Sequence, residues 1–260
     1  MNNLLDKTAL ITGATSGIGK ACAKALAKLG VDLVLTGRRE SRLETLKEKL
    51  QEKYDIEVKT LCFDVSNQIE VEKTLTNLLT EYEIDILINN AGLALGLETI
   101  DEGNISNWEN MIDTNIKGLL YVSKIIIAQM REKNKGHIIN IGSIAGVMNY
   151  PGGNVYSATK SAVHSISEAM NIDLVGTKIR VSNIAPGAVQ TEFSNVRFKG
   201  DDSKANSVYE GFEPLCAKDI ADLIVYILNA PEHVNIQHAL IMPTAQRNPY
   251  ILHREDKDKQ

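Results

Sequence analysis

Short apolar runs alternate with amphipathic stretches along almost the whole chain. Residues 7–12 (KTALIT) read as a strand and lead into a glycine-rich turn. Residues 17–29 then read as a helix, with Ala21, Ala25 and Leu26 on one face. The run 31–36 (VDLVLT) predicts a second strand. Residues 40–53 predict a charged helix with Leu43, Leu46 and Leu50 turned inward. A third strand over 57–63, a helix over 67–81 and a fourth strand over 85–89 continue the alternation. Residues 108–131 predict one long helix or two abutting ones. After them come a strand over 136–141, a helix over 156–174, a strand over 179–184, a helix over 217–229 and a last short strand over 239–242. Strands that are apolar on both faces and alternate with helices imply a parallel sheet covered on both sides. The expected fold is a doubly wound α/β domain spanning residues 1–252, with a charged, frayed tail over 253–260.

Composition narrows the picture. A length of 260 residues suits one such domain. The net charge of -5 offers no basic surface for nucleic acid. The best apolar stretch, 119–130, is too short to span a bilayer and carries Lys124, so no membrane association is expected. The start of the chain lacks a signal-peptide layout. Cys22, Cys62 and Cys216 are odd in number and widely spaced, which argues against disulfides or zinc and predicts buried small side chains. The five histidines show no metal-binding spacing, so no metal is expected. A reducing cytoplasm is the expected compartment.

Two constellations carry chemistry. The first is Thr12-Gly13-Ala14-Thr15-Ser16-Gly17-Ile18-Gly19, between the first strand and the first helix. Glycines there permit a sharp turn and a close approach of backbone to a pyrophosphate, which the helix N-terminus attracts. A glycine triplet alone can be a plain turn, but the flanking strand and helix favour a dinucleotide site. The second strand's C-terminal end reads Thr36-Gly37-Arg38-Arg39, with no acid for a ribose 2′-hydroxyl. Two guanidinium groups favour a 2′-phosphate instead, hence NADP. Asp32 begins that strand and lies at the wrong edge of the sheet. The bland alternative for Arg38 and Arg39 is a solvated pair opening a charged helix.

The second constellation is Tyr156 with Lys160, one helical turn apart, and Ser143 upstream. A free tyrosine has a pKa near 10, too high for a base at neutral pH, and a nearby ammonium lowers it. Positions 156 and 160 share a helix face, so Lys160 can act on Tyr156 directly or through the cofactor ribose. Ser143 can hold a substrate oxygen against the tyrosine. Taken alone, Tyr-x-x-x-Lys is usually an ordinary amphipathic pair, Ser143 a helix cap and Asn115 a satisfied core amide. Their joint occurrence with the glycine turn outweighs that reading.

These motifs, with Asp64-Val65, Asn89-Asn90-Ala91-Gly92, Asn115 and Pro186-Gly187 in the same order, resemble the short-chain dehydrogenase/reductase family along nearly the whole chain. The resemblance implies a single Rossmann-type domain. It implies that Asp64 and Val65 bracket the adenine, and that the Asn90 backbone lies at the cofactor. It places Pro186, Gly187, Val189 and Thr191 around the nicotinamide amide, and makes Asn115 a proton relay linking Lys160 to solvent. The stretches 90–96, 111–115, 150–156 and 192–202 are similar to one branch, the NADP-dependent dehydrogenases of serine, allo-threonine and other 3-hydroxy acids. That branch implies a small-molecule 3-hydroxy-acid substrate. Its carboxylate needs a cation, and Arg197 and Lys199 lie after Pro186-Gly187, where the family closes over substrate, so one of them is expected to pair with it. The competing view of both cations is an exposed basic loop beside Asp201 and Asp202. The resemblance also implies a homotetramer, with residues 243–253 crossing to a neighbour. A reductase of 3-oxoacyl thioesters or general carbonyls is the alternative activity. A non-catalytic nucleotide-binding scaffold is a third reading, with little use for an intact Ser143, Tyr156 and Lys160.

Overall fold

The computed structural model describes residues 3–255. Its first half runs β1 (Thr8–Ile11), α1 (Gly17–Ala27), β2 (Asp32–Gly37), α2 (Glu40–Lys53), β3 (Val58–Cys62), α3 (Gln68–Leu78) and β4 (Ile86–Asn89). The second half begins with α4 (Ile105–Ile112), α5 (Leu119–Lys133), β5 (Gly136–Ile141), α6 (Asn154–Asp173) and β6 (Ile179–Pro186). It continues through β7 (Val189–Gln190), α7 (Phe193–Arg197), α8 (Asp202–Ser207), β8 (Leu215–Cys216), α9 (Ala217–Leu228) and β9 (His238–Ile241). Seven strands pair in parallel in the order β3-β2-β1-β4-β5-β6-β9, and β7 pairs with β8 in a separate ribbon. Strand order reverses beside β1, and doubly wound sheets bind ligands at the carboxyl ends of the strands flanking that reversal.

Alternation along each strand builds two cores. Ala9, Ile11, Leu33, Leu35, Ile86 and Ile88 pack with α1, α2 and α9 on one face. Leu10, Val34, Leu87, Ile138 and Val181 pack with α3, α5 and α6 on the other. The side chains of one strand therefore feed both layers, which is why these runs are apolar throughout. Asp32 sits at the amino end of β2, where its carboxylate accepts from the Glu57 amide at 2.7 Å. It is at the edge remote from the cleft, as its place in the run implies.

Four features differ from the expected pattern. Of the two arrangements expected for 108–131, two abutting helices is the one found, but they are joined by an unexpected π-helical turn, Asp113–Gly118. A π-turn adds a residue to the helical circuit and shifts the register of the next helix, and this one turns Asn115 inward. A Cβ on Gly118 would lie 2.8 Å from Val65 Cγ2, so glycine lets the turn press against that side chain. The short elements between residues 189 and 216 carry no periodicity long enough to be read from sequence. Of the cysteines only Cys22 is buried. Cys62 ends the outermost strand and Cys216 precedes α9, and both are exposed. Finally, the tail does not begin at His253. The His253 amide donates to the Ala245 carbonyl at 2.9 Å and the Glu255 amide to Gly211 at 2.7 Å. Arg254 stacks 5.4 Å from the Phe212 ring and donates to the carbonyls of Val208 and Glu210. The rest of the expected tail, 256–260, lies outside the described residues. Among the described residues no helix is long and apolar enough to cross a membrane.

A buried amide ladder crosses the sheet beneath the site. Asn89, Asn140 and Asn183 stand at one level on β4, β5 and β6. Asn89 Nδ2 donates to Asn140 Oδ1 and to Ser123 Oγ, each at 2.9 Å, and Asn140 Nδ2 donates to Ser167 Oγ at 2.9 Å. Removing the middle amide leaves buried partners unpaired. Asn140→Ala is expected to destabilise the fold by about 1–3 kcal/mol, read as a lower urea midpoint at unchanged slope.

Candidate active site

The turn after β1 is shaped by what glycine lacks. Gly13 (φ +67) and Gly17 (φ +51) adopt left-handed backbone. A Cβ on Gly13 would lie 2.9 Å from Asn90 Nδ2, and one on Gly19 only 2.5 Å from the same atom. Asn90 fills that space, donating to the carbonyls of Thr12 at 2.8 Å and Gly13 at 3.1 Å. Thr12 Oγ1 accepts from the amides of Asn90 and Ala91, both at 3.0 Å. The result is a tight bend ending at the amino terminus of α1, open toward a cleft of about 590 Å³. Gly13, Thr15, Ser16, Gly17 and Ile18 line that cleft. Ala14 and Gly19 do not. The Ala14 amide bonds the Thr36 carbonyl at 2.9 Å, and Gly19 makes room for Asn90.

Arg38 and Arg39 both line the cleft. Arg39 donates to Thr15 Oγ1 at 2.7 and 3.1 Å and to Ser16 Oγ at 2.9 Å, which lays its guanidinium along the bend. Arg38 pairs with Asp64 at 3.3 Å. Partial burial works to raise the Asp64 pKa, but bonds from Ser66 and the charge of Arg38 outweigh it and hold the carboxyl low. Arg42 joins the cluster without having been singled out from sequence: Glu192 accepts from it at 2.8 Å and from Arg39 at 3.0 Å. A glycine cradle, a cluster of guanidinium groups and no acid at the end of β2 fit a dinucleotide bearing a 2′-phosphate. Phe63, Asp64 and Val65 wall the same end.

At the other end, Ser143, Tyr156 and Lys160 line the same cleft. Ser143 follows β5 and its hydroxyl caps the next short turn, accepting from the Ala145 amide at 3.1 Å. Tyr156 and Lys160 are buried on α6. Burial pushes the Tyr156 phenol up to about 12, opposed by a hydrogen bond from Ser143 and the charge of Arg197. Burial pulls Lys160 down to about 8, and its Nζ donates to the Ile141 carbonyl at 2.8 Å. Asn115 spends its side chain as a staple, accepting from the Leu93 amide at 2.8 Å and donating to the Leu93 carbonyl at 2.8 Å and Thr159 Oγ1 at 3.0 Å.

Pro186, Gly187, Val189 and Thr191 line the cleft between the two ends. The Thr191 side chain lies against the bend, within 3.4 Å of where a Cβ on Gly17 would be. Residues beyond it fold over the opening. Phe193 packs on Tyr156 with ring centroids 5.7 Å apart. Arg197 lies 5.6 Å from the Tyr156 ring centroid, donates to Tyr150 Oη at 2.6 Å and to the Gly96 carbonyl at 3.2 Å. Lys199 is exposed and absent from the lining, so of the two basic candidates only Arg197 reaches the cleft. Tyr209 bonds Ser194 Oγ at 2.6 Å and the Val189 carbonyl at 2.9 Å, tying this cover to β7. Within the chain, Gln246 Oε1 accepts from the Ala188 amide at 2.9 Å. The sequence did not single out Tyr150, Glu192 and Gln246 as site residues: Tyr150 and Glu192 open stretches read only as a likeness to the branch, and Gln246 lies in no motif.

Residues 7–202 match the family described as short chain dehydrogenase. The chain belongs to the short-chain dehydrogenase family. Among its relatives is an NADP-dependent 3-hydroxy acid dehydrogenase of Salmonella typhi, 46% identical over 239 residues, covering 91% of this chain and 95% of the relative. A Schizosaccharomyces pombe protein named NADP-dependent 3-hydroxy acid dehydrogenase is 42% identical over 257 residues, covering 98% of this chain and 99% of its own. The closed form of a serine dehydrogenase complexed with NADP+ superposes with a TM-score of 0.88 at 44% identity, covering 95% of this short-chain dehydrogenase and all 100% of the other chain.

The depressed Lys160 is directly measurable. Its ammonium is expected to lose its proton with a midpoint near 8 rather than 10.5. NMR of ¹³C-methylated lysines reads this as a downward-displaced titration curve that disappears in Lys160→Arg. A midpoint at the ordinary lysine value would contradict the burial described here.

Proposed function

We propose that this chain is an NADP-dependent dehydrogenase of small 3-hydroxy acids such as serine, allo-threonine and 3-hydroxypropionate. The observation that carries the reading is Arg197, a half-buried guanidinium held against Tyr156 inside the cleft. A 3-hydroxy acid has its hydroxyl carbon and its carboxylate separated by one carbon. Such a substrate places the hydroxyl at Tyr156 and Ser143 and the carboxylate at Arg197, where a charge-assisted bond replaces lost hydration. The names of the relatives support the same substrate class and the same cofactor.

Bound NADP supplies the nicotinamide that accepts the hydride. Ser143 donates to the substrate oxygen and fixes its position. Tyr156 takes the hydroxyl proton during oxidation and returns it during reduction. Lys160, drawn to about 8, exchanges protons near neutral pH and suits a relay behind the phenol. Because the Asn115 side chain is committed to Leu93 and Thr159, a relay past this residue uses the backbone of its π-turn. The cofactor is cradled by Gly13, Thr15, Ser16, Gly17 and Ile18, with Arg38 and Arg39 toward the 2′-phosphate and Asp64, Val65 and Asn90 beside the adenosine. Pro186, Gly187, Val189 and Thr191 complete the nicotinamide end. The same proposal extends to a cytoplasmic homotetramer. The assembly is supported by the exposed Leu120 on α5, Ile172 on α6, Tyr226 on α9 and Leu240 on the edge strand β9, and the compartment by the free cysteines Cys22, Cys62 and Cys216.

Two variants test the chemistry. Tyr156→Phe is expected to bind NADP as the wild type does while turnover falls by roughly 10²–10⁴-fold; calorimetry and initial rates with serine measure the two. Arg197→Met is expected to raise KM for 3-hydroxy acids about tenfold or more and to leave neutral carbonyls nearly unchanged. A panel of serine, 3-hydroxypropionate, a neutral aldehyde and an acyl thioester reads the difference, and an unchanged ratio between acids and neutral compounds removes Arg197 from the role.

A further inference from the structure

The cations at the 2′-phosphate end already have anions. Arg38 is paired with Asp64, and Arg39 and Arg42 share one carboxylate, that of Glu192. Glu192 is remote in sequence from both arginines and enters from the cover of the cleft, one residue beyond Thr191 and one before α7. Its side chain is 49% exposed, as are those of Arg39 at 40% and Arg42 at 47%. Ion pairs so open to water bind weakly and are released at little cost. The geometry around Arg39 is that of a prepared anion site, since its remaining nitrogens are oriented by the hydroxyls of Thr15 and Ser16 while Nη1 faces the carboxylate.

We propose that Glu192 is a resident competitor of the cofactor 2′-phosphate and thereby sets the preference of this chain between NADP and NAD. The proposal rests on the reading that the cofactor is NADP. A 2′-phosphate dianion reaching Arg39 must displace the carboxylate or share that guanidinium with it. In either case the carboxylate weakens the phosphate by like-charge repulsion at short range. NAD, which lacks that phosphate, leaves the Glu192 pairs in place. The residue therefore restrains NADP affinity without touching NAD affinity.

Equilibrium calorimetry on the full chain without cofactor tests this. The titrants are NADP, NAD and 2′,5′-ADP, each at low and high salt. Glu192→Gln keeps the size of the side chain and removes its charge. It is expected to tighten NADP and 2′,5′-ADP by about three- to tenfold, to leave NAD unchanged, and to lose most of that gain as salt screens the cluster. Equal tightening of all ligands overturns the proposal, as does unchanged or weakened binding of 2′,5′-ADP. Failure of the wild type itself to bind 2′,5′-ADP overturns the NADP reading and this proposal with it, so the two failures are told apart by the wild-type titration.

Discussion

One carboxamide joins the two halves of the site. The Asn90 side chain reaches from the end of β4 into the bend after β1 and bonds two successive carbonyls there. It can do so only because Gly13 and Gly19 present no Cβ to it. A backbone bend with left-handed residues is not self-supporting, since each such turn leaves polar groups without helical or strand partners. The amide satisfies those groups, and Thr12 reciprocates by accepting from both backbone amides just past β4. The bend therefore keeps its open face toward the cleft instead of relaxing onto the sheet.

From that fixed point the site is an exercise in differential burial. Tyr156 and Lys160 lie one turn apart, yet burial drives their pKa values in opposite directions, to about 12 and about 8. In both cases burial favours the neutral form, so both are poised to respond to whatever charge enters beside them. At the opposite end the arginines remain half in water and hold their carboxylate partners in exposed ion pairs. A buried end and an exposed cationic end divide the work between proton handling and anion recognition.

Chemistry packed into consecutive residues was legible in the sequence. The glycine bend, Tyr156 with Lys160, and the acid-free end of β2 are all local, because a turn, a helix face and a strand end are each set by neighbours along the chain. The strands were legible because burial on both sheet faces makes them apolar throughout. The contacts that escaped notice come from long-range closure. Glu192 meets Arg42 across 150 positions and Arg197 meets Tyr150 across 47, and no periodicity encodes either meeting. The π-turn at Asp113–Gly118 escaped for another reason: it departs from a continuous helix by one residue, which an amphipathic pattern of ordinary length does not resolve. The exposure of Cys62 and Cys216 comes from their places at a sheet edge and before a helix, which residue type alone does not reveal.

The brace formed by Gln246 bears on the order in which the molecule becomes competent. Its amide oxygen meets the Ala188 N–H across 58 positions, and a Cβ on Gly187 would fall 2.4 Å from that oxygen. A ribosome therefore delivers the bend, the phenol and the lysine well before the group that braces the turn after β6. A nascent chain carrying β1 to β6 has most of its sheet and a cleft with one wall still loose. Maturation of the binding crevice thus lags behind collapse of the core, and the lag is measured in codons.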